Sequence, residues 1–408
     1  MSGGKTKAVT PRLRFPEFRD AGPWEVKRLG EIAEVVRGGS PRPISQFLTT
    51  DDDGFNWLKI GDIATESKYV LSTEEKIKKT GLSKTREVQP GDLILSNSMS
   101  FGRPYIMGIR ACIHDGWLAL TDLKSEWLSE YLYYFILSDL SQRYLHDAAA
   151  GGGVRNLNAD IVKLLPIATP LRAEEQQKIA NCLSSIDELI RAEASRLEAL
   201  QAHKKGLMQQ LFPREGETNP RLRFPEFRDA GPWEAKKVGE IFRVTRGNVL
   251  ATSLISDNVS VKTPYPVYSS QTKNNGLLGY YSDFLYEDSI TWTTDGANAG
   301  DVKFRKGKFY CTNVCGVLNN EEGYANTFVA ELLNSVARKH VSYVGNPKLM
   351  NGVMAQIEIP LPTIEEQQKI ADCLSSLDDL IRAQGEKIEA LQQHKKGLMQ
   401  QLFPQEVV

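Results

Sequence analysis

The sequence predicts an α+β chain: two mixed α/β domains joined by two long helices that pair as an antiparallel coiled coil, with a pseudo-two-fold internal repeat. Three observations predict it. Residues 174–213, EEQQKIANCLSSIDELIRAEASRLEALQAHKKGLMQQLFP, return at residues 365–404 with 31 of 40 positions unchanged. The segment PRLRFPEFRDAGPWE at residues 11–25 recurs without change at residues 220–234. The stretches in between, roughly residues 40–165 and 249–356, do not align by eye. The order is a shared lead, a variable insert and a shared helix, then the same again. This divides the chain into residues 1–169, 170–213, 214–362 and 363–408.

The lead continues more weakly as KRLGEIAEVVRG (residues 27–38) and KKVGEIFRVTRG (residues 236–247). The first insert reads as mixed α/β. Residues 56–60 look like a strand running into Gly61-Asp62-Ile63, Pro90-Gly91 is a turn, and residues 92–96 form another short strand. Residues 129–140, SEYLYYFILSDL, read as a helix with a mostly buried face, and residues 148–158, AAAGGGVRNLN, as a Gly-rich loop. The second insert is richer in strand-like runs, at residues 265–269, 279–281, 289–293, 302–305 and 308–312. A helix at residues 327–336 and a polar loop at residues 345–352, GNPKLMNG, follow.

Each shared helix carries a narrow apolar seam stepping alternately by four and three. In the first copy it is Ile179, Leu183, Ile186, Ile190, Leu197, Leu200, Leu207 and Leu211, interrupted by Glu193 and Lys204. In the second it is Ile370, Leu374, Leu377, Ile381, Ile388, Leu391, Leu398 and Leu402, interrupted by Gln384 and Lys395. Such a seam needs a partner helix. The nearest is the other copy; another chain is the alternative. Acidic residues open each copy and Lys204-Lys205 lie late in the first, which suits the helix dipole. Thr363 and Glu366 have capping-box spacing, whereas the first copy has Arg172 at the matching place. Gly206 and Gly397 either end the helices early or weaken them. A helix of about 36 residues is roughly 54 Å long at about 1.5 Å per residue.

Composition excludes more than it selects. The 408 residues are 41% hydrophobic, with 50 Lys and Arg against 51 Asp and Glu, so a polyanionic partner would need a local basic patch. Five cysteines form no disulfide framework and read as buried thiols of a reducing compartment. No stretch reaches ~18 uninterrupted apolar residues, so a cytoplasmic chain without a membrane span is expected. Gly3-Gly4-Lys5-Thr6 lacks the rest of a phosphate-binding loop, and no G-x-G-x-x-G opens a βα unit. The Asn/Asp-Pro-Pro-aromatic tetrad of amino-methyltransferases is missing, and the five histidines have no metal-ligand spacing. Asp51-Asp52-Asp53 reads as a solvated loop. No catalytic residue and no metal site is expected in this chain.

What remains is polar material on loops. Residues 96–103, 151–158, 269–275 and 293–298 mix Ser, Thr, Asn, Gln and Arg. These side chains read base edges, while Lys and backbone amides suit phosphates. The same residues also make ordinary turns.

With the repeats in this order, the sequence resembles the specificity subunits of type I restriction–modification enzymes. The lead at residues 11–32 and its copy at residues 220–241 carry the likeness, together with both helix repeats. Within the inserts it rests on residues 90–96 with Arg103, on residues 153–158 and on residues 265–300. The resemblance implies two target-recognition domains, each reading half of a split site in double-stranded DNA, with the helices setting the gap. It implies two methyltransferase subunits that carry S-adenosylmethionine and methylate one adenine per half-site. Two restriction subunits using ATP and Mg2+ can join. The chain itself holds no cofactor. The residues it points to are Asn97, Arg103, Arg155 and Asn156 for one half-site, and Gln271, Lys273, Asn274, Asp295, Asn298 and Lys348 for the other. Gln176, Gln177, Gln209 and Gln210 flank the seams where methyltransferase subunits would touch. The competing reading is a non-enzymatic coiled-coil adaptor whose ends bind protein or glycan.

Overall fold

The computed structural model describes residues 9–64, 66–97, 101–150, 157–214, 216–271 and 273–406. The chain folds as two compact units, Met1–Glu193 with Lys387–Val408, and Ala194–Glu386. Each unit contains a lead, an insert, the opening of one long helix and the close of the other.

In the first unit the lead strand Glu25–Arg28 pairs antiparallel with Pro166–Thr169, just before the helix. One five-stranded sheet runs in the order Glu34–Arg37, Trp117–Thr121, Leu93–Ser96, Pro104–Met107, Tyr69–Val70. A second runs Leu48–Thr49, Glu75–Ile77, Phe55–Leu58, Ala111–Ile113, Arg86–Val88. The helix expected over residues 129–140 is two helices, Ser129–Ile136 and Asp139–Ala150. The break falls at Leu137-Ser138, where the Ser138 hydroxyl accepts from the Ser141 amide at 3.5 Å.

In the second unit the lead strand Glu234–Lys237 pairs antiparallel with Glu358–Leu361. A six-stranded sheet runs Arg243–Arg246, Cys315–Asn319, Tyr286–Thr293, Val302–Cys311, Tyr265–Tyr268, Leu277–Tyr281. The two strands expected at residues 302–305 and 308–312 are one. Gly307, at φ 74°, sits inside it opposite an irregularity at Asp288, and its amide donates to Asp288 Oδ1 at 2.7 Å. A Lys-Gly-Lys step that reads as a turn is thus a bulge. The helix Thr327–Val336 has the expected bounds and is capped by Asn326, which accepts from the Val329 amide at 2.9 Å.

The two long helices are Ala173–Leu211 and Ile364–Leu402, 39 residues each. Gly206 and Gly397 lie inside them with open space around, so neither ends its helix. In the first unit Asp187 meets Lys395 at 2.6 Å and Glu193 meets Lys387 at 2.5 Å, so the helices run antiparallel. In the second unit Lys204 meets Asp378 at 2.7 Å while Leu211 shares a core with Ile370 and Leu374, again antiparallel. Asp187 and Asp378 are corresponding repeat positions, as are Lys395 and Lys204. One sequence therefore makes the same ion pair twice. The charged residues that interrupt the seams in sequence are the ones that fix register.

Seam burial is uneven. Ile179, Leu183, Ile370 and Leu374 are buried, because each also packs against its unit's sheet domain. Ile186, Ile190, Leu197, Leu200, Leu377, Ile381, Ile388 and Leu391 are half-buried, as a two-helix contact allows.

Lys204 also binds Glu331 at 2.8 Å. Burial works to lower its pKa, but hydrogen bonds to Asp378 and Glu331 outweigh it and hold the pKa above the ordinary lysine value. Lys204→Met should cost about 1–2 kcal/mol, since two half-exposed carboxylates lose their shared cation. Urea unfolding measures it. The difference from wild type should narrow as NaCl rises, and a salt-independent loss would mean packing rather than charge.

The leads and helix starts interlock by buried ion pairs. Arg14 makes a two-pronged pair with Glu175, both contacts 2.7 Å, and neither residue is more than 9% exposed. Arg223 does the same to Glu366, with contacts of 2.8 and 2.5 Å. The LFP that closes each repeat also inserts a ring. Phe403 packs on Tyr131 and Phe135 in the first unit, and Phe212 packs on Phe328 in the second.

This corrects the reading of Gln176 as a subunit-facing residue. It is 3% exposed and spends its carboxamide on the Leu128 amide and the Glu126 carbonyl, at 3.0 and 2.9 Å. Its repeat partner Gln367 is buried likewise, accepting from Asn326 Nδ2 at 3.1 Å. Gln177, Gln209 and Gln210 are exposed.

Candidate nucleic-acid interface

The two inserts share no visible sequence, yet their backbones make the same hydrogen bonds. After the lead strand, Gly38 donates to the Trp117 carbonyl and Gly247 to the Cys315 carbonyl, at 2.9 and 3.0 Å. The next residues, Gly39 and Asn248, both donate at 3.1 Å, to the Ile113 and Cys311 carbonyls. Asn97 donates to Gly116 as Thr294 donates to Val314, at 3.0 and 3.1 Å. Leu157 then donates to Asn97 as Leu349 donates to Thr294. Backbone pairing asks nothing of side chains beyond size, so this frame can stay fixed while the residues displayed on it change.

In the first unit the loops gathered by this frame converge on Asp115. Its carboxylate accepts from Ser40 Oγ at 2.9 Å and from Arg42 at 3.2 Å, and its carbonyl accepts from Arg37 at 2.9 Å and Asn97 Nδ2 at 3.0 Å. Burial pushes its pKa up, but the Ser40 hydrogen bond, His114 and Arg42 hold it below the usual carboxylate range. Asn97 is 1% exposed, so its carboxamide is turned inward to Asp115. Arg103 is partly exposed, lies 3.9 Å from Glu66 and 5.9 Å over the Tyr105 ring, and its buried Nε has no partner among the described residues. Arg155 and Asn156 lie outside the described residues.

In the second unit the loops form two hydrogen-bonded groups. Thr312 Oγ1 donates to Ser269 Oγ at 3.1 Å, and the Ser269 amide donates to the Gly276 carbonyl at 2.9 Å. Asp295 accepts from Asn346 Nδ2 at 3.0 Å and lies 3.8 Å from Lys348 Nζ. The segment expected as a plain polar loop is a small bridge, with Ser342 and Lys348 exchanging backbone hydrogen bonds at 2.8 and 2.9 Å. The helix Asn351–Gln356 follows it. Asn274 is exposed, and Asn298 is half-buried with its carbonyl accepting from Asp301. Gln271 is exposed but bonds through Nε2 to the Leu277 carbonyl, closing its own turn. The side chain of Lys273 lies outside those described.

Sequence reasoning missed Ser40, Arg42 and Asp115 in one unit and Asn346 in the other. The signal for the first set was the shared lead itself. VVRG and VTRG end in glycine at the same register, which marks a close backbone approach at the end of a strand.

Cys112, Cys311 and Cys315 are buried as expected, whereas Cys182 and Cys373, at one repeated position of the long helices, are only half-buried. All five cysteines are free. Burial pushes Cys112 up to about 12 and Cys315 up to about 11. Among the described residues no group of three or more His, Cys, Asp or Glu is placed to hold a metal ion. Among them, too, no helix is long and apolar enough to cross a membrane.

A frame written twice, with differing polar loops displayed at corresponding places and an antiparallel helix pair in each unit, defines a duplicated two-unit protein. The chain belongs to the type I restriction modification DNA specificity family, whose model matches residues 22–202 and 231–393, once in each repeat. A putative type I specificity subunit of Mycoplasma pneumoniae is 43% identical over 144 residues, spanning 34% of this chain and 75% of that one. The putative type I restriction enzyme MjaX specificity subunit of Methanocaldococcus jannaschii is 24% identical over 93% of this chain and 92% of its own. Among solved structures, the type I restriction–modification S subunit from M. genitalium superposes with a TM-score of 0.64 at 16% identity, covering 97% of this chain and 99% of that one.

Proposed function

We propose that this chain is the DNA-reading subunit of a type I restriction–modification enzyme, with one half-site of a split duplex sequence read by each unit. The observation that carries this is the repeated hydrogen-bond frame with unlike polar loops on it: one way of presenting side chains, used for two different sequences. Paired helices of fixed length suit a spacer between the half-sites. The chain carries no chemistry of its own in this reading. S-adenosylmethionine resides in two methyltransferase subunits that flank the helices and methylate one adenine in each half-site. ATP and Mg2+ belong to restriction subunits that can join the complex. Such an assembly works in the cytoplasm, where the DNA is.

Sequencing of modified bases in cells carrying this chain with its methyltransferase partner tests the reading. The expected result is N6-methyladenine at a single split motif with an unspecified gap, absent when either chain is omitted. A continuous short motif, or no methylation with both chains present, would favour an adaptor role for the chain.

A further inference from the structure

Residues 274–276 stand out for their backbone. Asn274 has φ 49° and ψ 40°, Asn275 has φ 55° and ψ 28°, and Gly276 has φ 84°. Three successive residues in the left-handed region are costly unless they are glycine, and asparagine is among the few others that enter it. Glycine would serve all three positions; the chain has asparagine at two of them. Both asparagines are exposed, and among the described residues neither carboxamide has a hydrogen-bond partner.

Beneath the turn lies Arg305, 6% exposed, with no carboxylate among the described residues within ion-pair distance. Its Nη1 donates to the Asn275 carbonyl at 2.8 Å, and its Nε donates to Thr291 Oγ1 at 3.1 Å. Its guanidinium stacks 3.8 Å from the centre of the Tyr268 ring. Gly276 makes room for it, since a Cβ there would stand 3.1 Å from Nη2. A buried cation without a counter-ion is expensive, and methionine would fill the same space at lower cost. What methionine lacks is the planar fork, which ties the turn to the strand Tyr286–Thr293 and to an aromatic floor.

We propose that Arg305 is a positioning residue that holds the turn so that Asn274 and Asn275 read base edges of the half-site taken by the second unit. This rests on the DNA-reading function proposed above. A carboxamide presents one donor and one acceptor side by side, which matches N6 and N7 of adenine in the major groove, so the turn reads A·T pairs. The strain and the uncompensated charge are then the cost of presenting two outward carboxamides in a fixed pose.

The test uses the full chain with its methyltransferase partner and reads the methylated motif and the thermal midpoint together. Asn274→Gly with Asn275→Gly keeps the backbone that the turn requires and removes both readers. The midpoint should stay level or rise. Discrimination at one or two A·T positions of one half-site should fall about 10–100-fold, with the other half-site and the gap unchanged. Arg305→Met should relax the same positions without lowering the midpoint, and Arg305→Lys, which keeps the charge but not the fork, should fail to restore them. A split motif left unaltered by the double glycine variant overturns the inference alone. So does an Arg305→Met chain that melts early and weakens both half-sites equally, which would make Arg305 structural. If the wild-type complex methylates no split motif, the DNA reading fails and this inference fails with it.

Discussion

Arg223→Ala should destabilise the second unit by about 3–5 kcal/mol, and Arg14→Ala should do nearly as much to the first. The reason is what each substitution leaves behind. Glu175 is 0% exposed and Glu366 is 1% exposed, so removing the arginine strands a carboxylate where water cannot reach it. Each arginine also caps carbonyls of its own lead: Arg14 donates to Gly22 at 2.6 Å, and Arg223 to Ala230 and Gly231 at 2.8 and 3.1 Å. Those lead carbonyls lose a donor too. The two units differ in one respect. Trp24 Nε1 donates to Glu175 at 3.3 Å, whereas Trp233 Nε1 has no partner among the described residues, so Glu366 depends more fully on its arginine. Arg223→Ala therefore belongs at the upper end of the range. Denaturant unfolding gives the magnitude, and hydrogen exchange followed by peptide shows which unit opens. Replacing both partners at once, Arg14→Met with Glu175→Leu, should recover part of the loss, because no buried charge is then left alone. A single variant within about 0.5 kcal/mol of wild type, or exchange that rises equally in both units, would sink this account.

The pair also shows what a sequence conceals. The duplicated helix, its seam and the lead were legible because repetition and a period of 3.5 are properties of the string itself. So was the helix Thr327–Val336, whose asparagine cap precedes an apolar run. The role of EEQQ was not legible. Two acids at a helix start read as charges suited to the helix dipole and the two amides as subunit contacts, yet Glu175 and Gln176 point inward to partners 161 and 48 residues away. Asn97 escaped for the same reason. A polar residue after a strand can face a ligand or satisfy a neighbouring carbonyl, and only the fold decides which. The kinship of the inserts was hidden more deeply. It is carried by backbone N–H and C=O groups, which every residue except proline supplies alike, so two sequences can keep the frame and share almost no letters.

That frame has one point where a letter is forced, and it yields the second large effect. A Cβ on Gly38 would stand 2.2 Å from the His114 carbonyl oxygen, and one on Gly247 would stand 2.2 Å from the Cys311 oxygen and 2.4 Å from that of Thr312. Neither glycine has a positive φ, so conformation is not the reason; the next loop passes too close. These contacts are with backbone, which cannot rotate aside as a side chain can. Gly38→Ala should therefore cost at least the ~1–3 kcal/mol of an overpacked core, or displace the turn that carries His114 and Asp115. Gly247→Ala should do the same to the turn between Cys311 and Cys315. Because each turn belongs to one unit, the functional losses should be separable. Gly38→Ala should degrade recognition of one half-site and Gly247→Ala that of the other, with the helix pairing and the gap unchanged. Methylated-motif sequencing of the two variants, alongside their thermal midpoints, measures both effects. If each variant instead blurs both half-sites to the same degree, the units do not read independently, and a frame that merely holds two separate sets of loops is the wrong description of this chain.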